Sequence, residues 1–312
     1  MIDTVKFWID TGKMSRGNPF DILPYLSDIG ERNDVRRGYS CIGRFGNFTV
    51  SIFKSGVSLI GSLAKYHLGD NVQTLTRSTV QTAIEQMSDN LHTDIGLAKV
   101  TRLDISTVIP TTLPPSNYYN YLGIKPRFER VQTTPDTLYY NNGKNPKTMK
   151  LQLAFYDKIK EAKTKKAPIP QSFKNLLRYE LRFLRRLPSQ FNVEVTGAIL
   201  HNSDFYAEMI RQWHDEFSTI LKNKKIDMVT DMIKKPSDVT KALATMYLQE
   251  KGQAETERIL ADLRASNAFA DPKYYSRTKL NLNRLITVKN EQKNESILEL
   301  ENKIYDVAKY AQ

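Results

Sequence analysis

Leu176-Leu177-Arg178-Tyr179-Glu180-Leu181-Arg182-Phe183-Leu184 is the stretch on which the fold turns. Read with a period of two, it places Leu177, Tyr179, Leu181 and Phe183 on one face and Arg178, Glu180 and Arg182 on the other. That is a strand with one core face and one charged face. A carboxylate set between two arginines is costly to bury without partners, so the charged face asks for a purpose. The same device recurs in Val100 to Val108. There Leu103, Ile105 and Ile109 share one face, and Arg102, Asp104 and Ser106 share the other. In Leu151 to Lys158, Leu151, Leu153 and Phe155 face one way, while Gln152, Tyr156 and Lys158 face the other.

Outward from these three strands, Val5, Phe7 and Ile9 alternate with Lys6, Trp8 and Asp10 as a further strand. Asn47 to Phe53 and Val57 to Leu63 form a hairpin around Ser55-Gly56. Thr148 to Tyr156 pairs with Leu138 to Asn142 across the turn Asn142-Gly143. Ser78, three residues before Gln81, reads as a capping box opening a helix with Val80, Ala83, Ile84 and Met87 on its inner face. The lysine-rich run Lys160 to Gln171, closed by Pro168 and Pro170, reads as a loop. Beyond Pro188 the pattern turns helical. Phe205, Met209, Trp213, Phe217 and Leu221 recur every four residues, followed by helices over Ser237–Glu250, Gln253–Ala265 and Pro272–Val288. A last helix carries Ile297, Leu300, Ile304, Val307 and Ala311. The predicted fold class is α+β: an antiparallel-sheet domain over residues 1–190, then a helical domain over 191–312. No internal repeat is evident.

Charge narrows the function. The 312 residues carry a net charge of +12. Between Asn141 and Gln190 stand thirteen bases and three acids, which is +10 in about a sixth of the chain. Such concentration suits a polyanion, where each neutralised phosphate releases counterions. The single cysteine, Cys41, rules out a disulfide framework and fits a reducing cytoplasm. No run approaches the roughly 18 apolar residues of a membrane helix, and the acid-bearing stretch Met1 to Asp10 does not read as a signal peptide. The expected protein is cytoplasmic, with no membrane partner.

The chain has no phosphate loop of the Gly-x-x-x-x-Gly-Lys-Ser/Thr type, no Gly-x-Gly-x-x-Gly and no His-x-x-x-His pair. Metal-dependent DNA chemistry would therefore draw on carboxylates. Asp104 and Glu180 on neighbouring strands offer hard oxygen ligands for Mg²⁺ or Mn²⁺. Among 16 tyrosines, Tyr139 is the best placed nucleophile. Leu138 marks the buried face of its strand, so Tyr139 points the other way, towards the side bearing Tyr156. A tyrosine nucleophile conserves the phosphodiester energy in a covalent link.

The series Thr101 to Ile105, Thr137 to Tyr139, Phe155 to Lys158 and Leu177 to Arg182 resembles the gene II/X family of phage and plasmid replication proteins. It is also similar to the wider rolling-circle initiators that use carboxylates in place of paired histidines. Met1 to Val5 and Leu63 to Asn71 fit the same pattern, and the resemblance covers roughly residues 1–190. It implies an endonuclease domain that nicks one strand at an origin, links a tyrosine to the 5′ phosphate and leaves a 3′ hydroxyl as primer. Carried onto this chain, Tyr139 takes the nucleophile position, with Tyr140 a rival. Asp104 and Glu180 take the metal-site strands, Asp157 is a candidate third ligand, and Lys158 and Arg102 join the catalytic candidates. Related plasmid initiators often carry a second acid four residues after the first, where this chain has Val108. Arg178, Arg182, Lys144, Lys147, Lys150 and Tyr156 are the candidate DNA contacts. Expected partners are single- and double-stranded origin DNA, host helicase and polymerase, and a second copy in a homodimer. Two other readings stand beside this one: a non-catalytic origin-binding initiator, and a mobilisation relaxase with the same chemistry. In the helical part, Ser237 to Ala265 could form a helix-turn-helix about Lys251-Gly252, with Arg277, Lys279, Arg284 and Lys289 near phosphates.

Overall fold

The computed structural model describes residues 1–14, 17–34, 38–167, 173–223, 234–251, 253–286 and 295–311. Alternating sequence becomes strand over β1 (Ile2–Asp10), β2 (Ser27–Asp34), β3 (Gly38–Phe45), β4 (Phe48–Phe53) and β5 (Gly56–Ser62). Helices α1 (Leu63–Leu68) and α2 (Arg77–Leu91) lead to β6 (Lys99–Pro110) and the short α3 (Pro115–Tyr119). Then come β7 (Glu129–Thr134), β8 (Thr137–Asn141), β9 (Leu151–Asp157), α4 (Lys158–Thr164) and β10 (Leu176–Phe183). Helices α5 (Leu187–Phe191), α6 (Ser203–Ser218), α7 (Pro236–Lys251), α8 (Gln253–Ala265), α9 (Pro272–Ile286) and α10 (Glu295–Tyr310) complete the described chain.

All ten strands join one sheet in the order β2-β3-β4-β5-β1-β6-β10-β9-β8-β7, and each neighbouring pair is antiparallel. The order is palindromic in connectivity. β1 pairs with β5 and then β4, β3 and β2 follow outward; β6 pairs with β10 and then β9, β8 and β7 follow. Two five-stranded units thus meet at β1 and β6, an architectural repeat that the residue types do not announce. The α+β class predicted from the sequence holds.

One face of the sheet is apolar. Val5, Phe7 and Ile9 of β1, Leu103 and Ile105 of β6, Tyr179 and Leu181 of β10, and Leu153 and Phe155 of β9 are buried in a common core. The helices contribute to that core through Val80, Ile84 and Met87 of α2, Met209, Trp213 and Phe217 of α6, and Ile297, Leu300 and Ile304 of α10. Tyr179 anchors the layer. Its ring stacks on Phe155 at 4.6 Å, lies 4.8 Å from Trp213, and its hydroxyl donates to the Trp213 carbonyl at 2.9 Å. The core therefore continues past residue 190 into α6 and α10. Helices α7, α8 and α9 pack on one another.

Several local expectations change. The cap of α2 is Thr76, paired reciprocally with Thr79, so the helix begins earlier than a Ser78–Gln81 box would place it. The run from Lys160 is not all loop. Asp157 accepts hydrogen bonds from the Ile159 and Lys160 backbone N–H groups, and Glu161 pairs with Lys158 and Lys165, so α4 forms before residues 168–172, which lie outside the described set. Leu221 is exposed rather than part of the α6 stripe, because α6 ends at Ser218. Strands β2, β3 and β7 carry no clean apolar alternation; β7 is an edge strand with mostly exposed side chains. Gly252 and Lys289 lie outside the described residues.

Candidate nucleic-acid interface

The second face of the sheet is built from the charged positions of the same strands. Antiparallel register sets Asp104 opposite Arg182 and then Gln152 and Asn141, in one row across β6, β10, β9 and β8. The next row is Ser106, Glu180, Ala154 and Tyr139. The third is Val108, Arg178, Tyr156 and Thr137. Side chains in register point to the same face. Asp104, Glu180, Arg178, Arg182, Tyr156 and Tyr139 are thus gathered on one surface, as their alternation requires.

At the centre is Glu180. Its Oε1 accepts from Arg178 Nε and from the Tyr156 hydroxyl, each at 2.7 Å, and its Oε2 accepts from Arg182 Nε at 2.7 Å. Burial alone would raise this carboxyl, but Arg178 and Arg182 outweigh it and hold it at about 2. Arg178 is 1% exposed and also donates to Asp3 at 2.6 Å, to Ser106 Oγ at 2.7 Å and to the Asn71 carbonyl. Arg182 continues the network sideways, donating to Gln152 Oε1 at 2.9 Å while Gln152 donates to Asn141 Oδ1 at 2.8 Å. Asp104 is held separately in a two-pronged contact with Arg102, Nε to Oδ1 at 3.0 Å and a terminal nitrogen to Oδ2 at 2.7 Å. Burial nonetheless lifts Asp104 to about 6.

Alternation does not find Asp3. Its odd number groups it with Val5, Phe7 and Ile9, but the register of β1 against β6 shifts between Ile2 and Val5 and turns Asp3 to the charged face. There it accepts from Ser62 and Arg178. Asn71, which also holds Lys158 Nζ at 2.8 Å, ends the Leu63 to Asn71 stretch that carries the family resemblance, but alternation does not find it either.

The candidates divide. Tyr139 is half-buried with its ring 5.9 Å from the Arg182 guanidinium, and no hydrogen bond to its hydroxyl is seen among the described residues. Tyr140 sits on the opposite, apolar face, fully buried, with its hydroxyl donating to the Leu122 and Gly123 carbonyls, so it is a core anchor. Asp157 is not beside Glu180: it pairs with Leu177 in register, and its carboxylate caps α4. Lys158 is buried, tied to Asn71 and to Glu161 at 2.8 Å, and burial together with Arg178 lowers its affinity for the proton, so it is an internal strut rather than a phosphate contact. Arg178 is an internal strut too. Tyr156 spends its hydroxyl on Glu180. Arg102 and Arg182 keep partial exposure, and Lys144, Lys147 and Lys150 are exposed on the β8–β9 connection.

The carboxylates do not fit a divalent ion in this arrangement. Both oxygens of Asp104 and both of Glu180 accept from guanidinium groups, and cations stand where a metal would have to enter. Among the described residues no group of three His, Cys, Asp or Glu side chains is arranged to hold a metal ion. Among the same residues no helix is long and apolar enough to cross a membrane.

Residues 1–215 match the Phage_CRI family, described as the N-terminal region of a phage replication-associated protein. The chain belongs to that family, consistent with a phage rolling-circle replication initiator of the gene II/X type. No curated protein matches it.

Proposed function

We propose that this member of the phage replication-associated family nicks one strand of origin DNA with Tyr139 on the charged face of the sheet. The observation that carries the reading is the position of Tyr139. It is the tyrosine on that face with a hydroxyl left unengaged by the described residues, beside the partly exposed Arg182. In the step proposed, Tyr139 Oη attacks the phosphorus and the bond from phosphorus to the 3′ oxygen breaks. The 5′ phosphate is then joined to tyrosine. The phenolic proton passes to water, and the 3′ oxygen takes up a proton from water. Arg182 and Arg102 neutralise charge gathering on the phosphate oxygens. Glu180 and Arg178 fix Arg182 in place, and the lysines of the β8–β9 connection hold the flanking backbone. The 3′ hydroxyl then primes a host polymerase, while a host helicase opens the duplex.

The arginine-saturated carboxylates favour a second reading, origin binding without cleavage. One experiment separates the two. Single-stranded oligonucleotides tiled across the replicon's own origin are incubated with the protein, with and without Mg²⁺ or Mn²⁺, and run on a denaturing gel. A protein-linked product, lost in Tyr139→Phe and kept in Tyr140→Phe, establishes the nickase. Tight binding with no linked product in any metal establishes the binder.

A further inference from the structure

The charged face does not end at β6. On β1 and β4, within the other five-stranded unit, the same side of the sheet carries two large aromatic rings among polar neighbours. Trp8 is in register with Ser58, which pairs onward with Ser51; Phe53 follows two residues after Ser51 on the same side. Both rings are half-buried. They meet at 6.2 Å between centroids with a 38° tilt. A tryptophan placed on a sheet face beside Lys6, Asp10 and serines is not filling the core, which lies on the other side with Phe7 and Ile9.

Its orientation is fixed. Trp8 Nε1 donates to Asp10 Oδ1 at 2.8 Å, and Asp10 Oδ2 is 3.5 Å from Lys99 Nζ. Gly56 passes beneath: a Cβ there would lie 3.0 Å from Trp8 Cζ2 and 2.2 Å from the Ile9 carbonyl oxygen, at a φ of +152°. The chain thus brings its backbone close under the ring, which only glycine allows. On the same side stand Lys6, two residues before Trp8 and in register with Arg102, and Lys99, which pairs with Asp10 and also with Glu194 at 3.6 Å. Trp8 is opposite Lys99, five residues from Asp104 along β6, or about 17 Å at strand rise.

We infer that Trp8 and Phe53 form a stacking platform for unpaired bases of single-stranded DNA, so that the strand crosses the sheet from this platform to the Arg182–Tyr139 region. A rigid ring on a polar sheet face, flanked by lysines, presents a π-surface to any base and cations to its phosphates. The inference rests on the reading of the charged face as the DNA-facing surface.

The test uses the intrinsic fluorescence of the full chain. It has two tryptophans, and Trp213 is fully buried under Tyr179 on the opposite face. An emission change on adding oligo(dT) therefore reports Trp8. Binding is followed in parallel by anisotropy of a labelled oligonucleotide. Quenching of emission in step with binding is expected, along with protection from iodide. Trp8→Phe should keep binding and lose the quenching, while Trp8→Ala should weaken binding about 5- to 150-fold, the range for loss of one stacked base. Because Trp8→Phe preserves an aromatic ring, and the parent signal needs no substitution, a misfolded Trp8→Ala leaves the test intact. Binding by the parent with unchanged emission and iodide access overturns the platform. If Lys144, Lys147 and Lys150 replaced by alanine weaken that same binding, the charged-face reading survives the platform's failure. If the parent binds no single-stranded DNA, both fall.

Discussion

Arg182 joins Glu180 to Tyr139: its Nε donates to Glu180 Oε2 at 2.7 Å while its guanidinium carbon lies 5.9 Å from the centroid of the Tyr139 ring. One planar group thus touches the buried carboxylate and the half-buried tyrosine at once. Arg182→Lys keeps the charge but loses the fork that reaches Glu180, Gln152 and the ring together. Cleavage by Arg182→Lys should fall well below the parent's while oligonucleotide affinity changes by no more than about threefold. Gel-based single-turnover rates and anisotropy measure the two separately. Equal loss of both would make Arg182 a plain phosphate contact.

Glu180 is the hub of a buried ion network, and removing it leaves Arg178 without its principal anion at that end. Glu180→Ala should destabilise the fold by about 3–5 kcal/mol, the range for breaking a buried pair by deleting one partner. Urea unfolding followed by circular dichroism reads this directly. A change under about 1 kcal/mol would show that Asp3 alone compensates Arg178.

The two carboxylates respond to pH in opposite directions. Asp104 takes up its proton at about 6 when folded, above the ordinary 3.8, so the folded chain binds that proton more tightly than the unfolded chain. Its contribution to stability therefore falls as pH rises from about 4 to about 6. Glu180, held at about 2 against an ordinary 4.5, contributes stability that is present above about pH 4.5 and lost as pH falls towards 2. Asp104→Asn removes only the first effect. Relative to the parent, it should gain up to about 2 kcal/mol of stability between pH 4.5 and pH 6.5 in urea titrations. A constant difference across that window would contradict the role of burial at Asp104.

The β8–β9 connection supplies charge without supplying the site. With Lys144, Lys147 and Lys150 all replaced by alanine, the slope of log affinity against log salt for single-stranded DNA should shrink by about 2, at roughly 0.7 for each phosphate no longer neutralised. Melting temperature should stay within about 2 °C, since all three side chains are exposed. An unchanged slope would move the DNA path off this connection.

Much of this is legible in the residues. The alternation of Leu177 to Phe183 and of Leu103 to Ile109 assigns each strand its two faces, and the register places Asp104, Glu180 and Tyr139 on one side as that alternation requires. What alternation does not report is pairing across distance. Tyr140 differs from Tyr139 by one position, and only the strand's fixed two-residue period, together with the Leu122 and Gly123 carbonyls, consigns it to the core. Asp157 has the chemistry of a ligand. It becomes a helix cap because a strand ends there and the next backbone N–H groups need an acceptor. Asp3 is hidden by a register shift, which leaves no mark in residue type. Trp8 reads as a plain strand position until the serines beside it are known.

The palindromic strand order has a consequence for how the chain acquires its shape. β1 is made early yet ends at the middle of the sheet, between β5 and β6. Its first neighbour, β5, arrives within about fifty residues, so β2 to β5 can form a meander that closes onto β1 while later chain is still being synthesised. The far edge of β1 must then wait for β6, and β6 in turn waits for β10, with β7, β8 and β9 formed in between. Each half thus closes by bringing its last strand back to its first, and the seam between the halves joins two strands that are each the oldest of their unit. Until that seam forms, a nascent chain holds an open β1 edge with Trp8 on one face and Phe7 on the other. That makes the ribosome-bound N-terminal half the stage at which mispairing with a second copy is most easily begun.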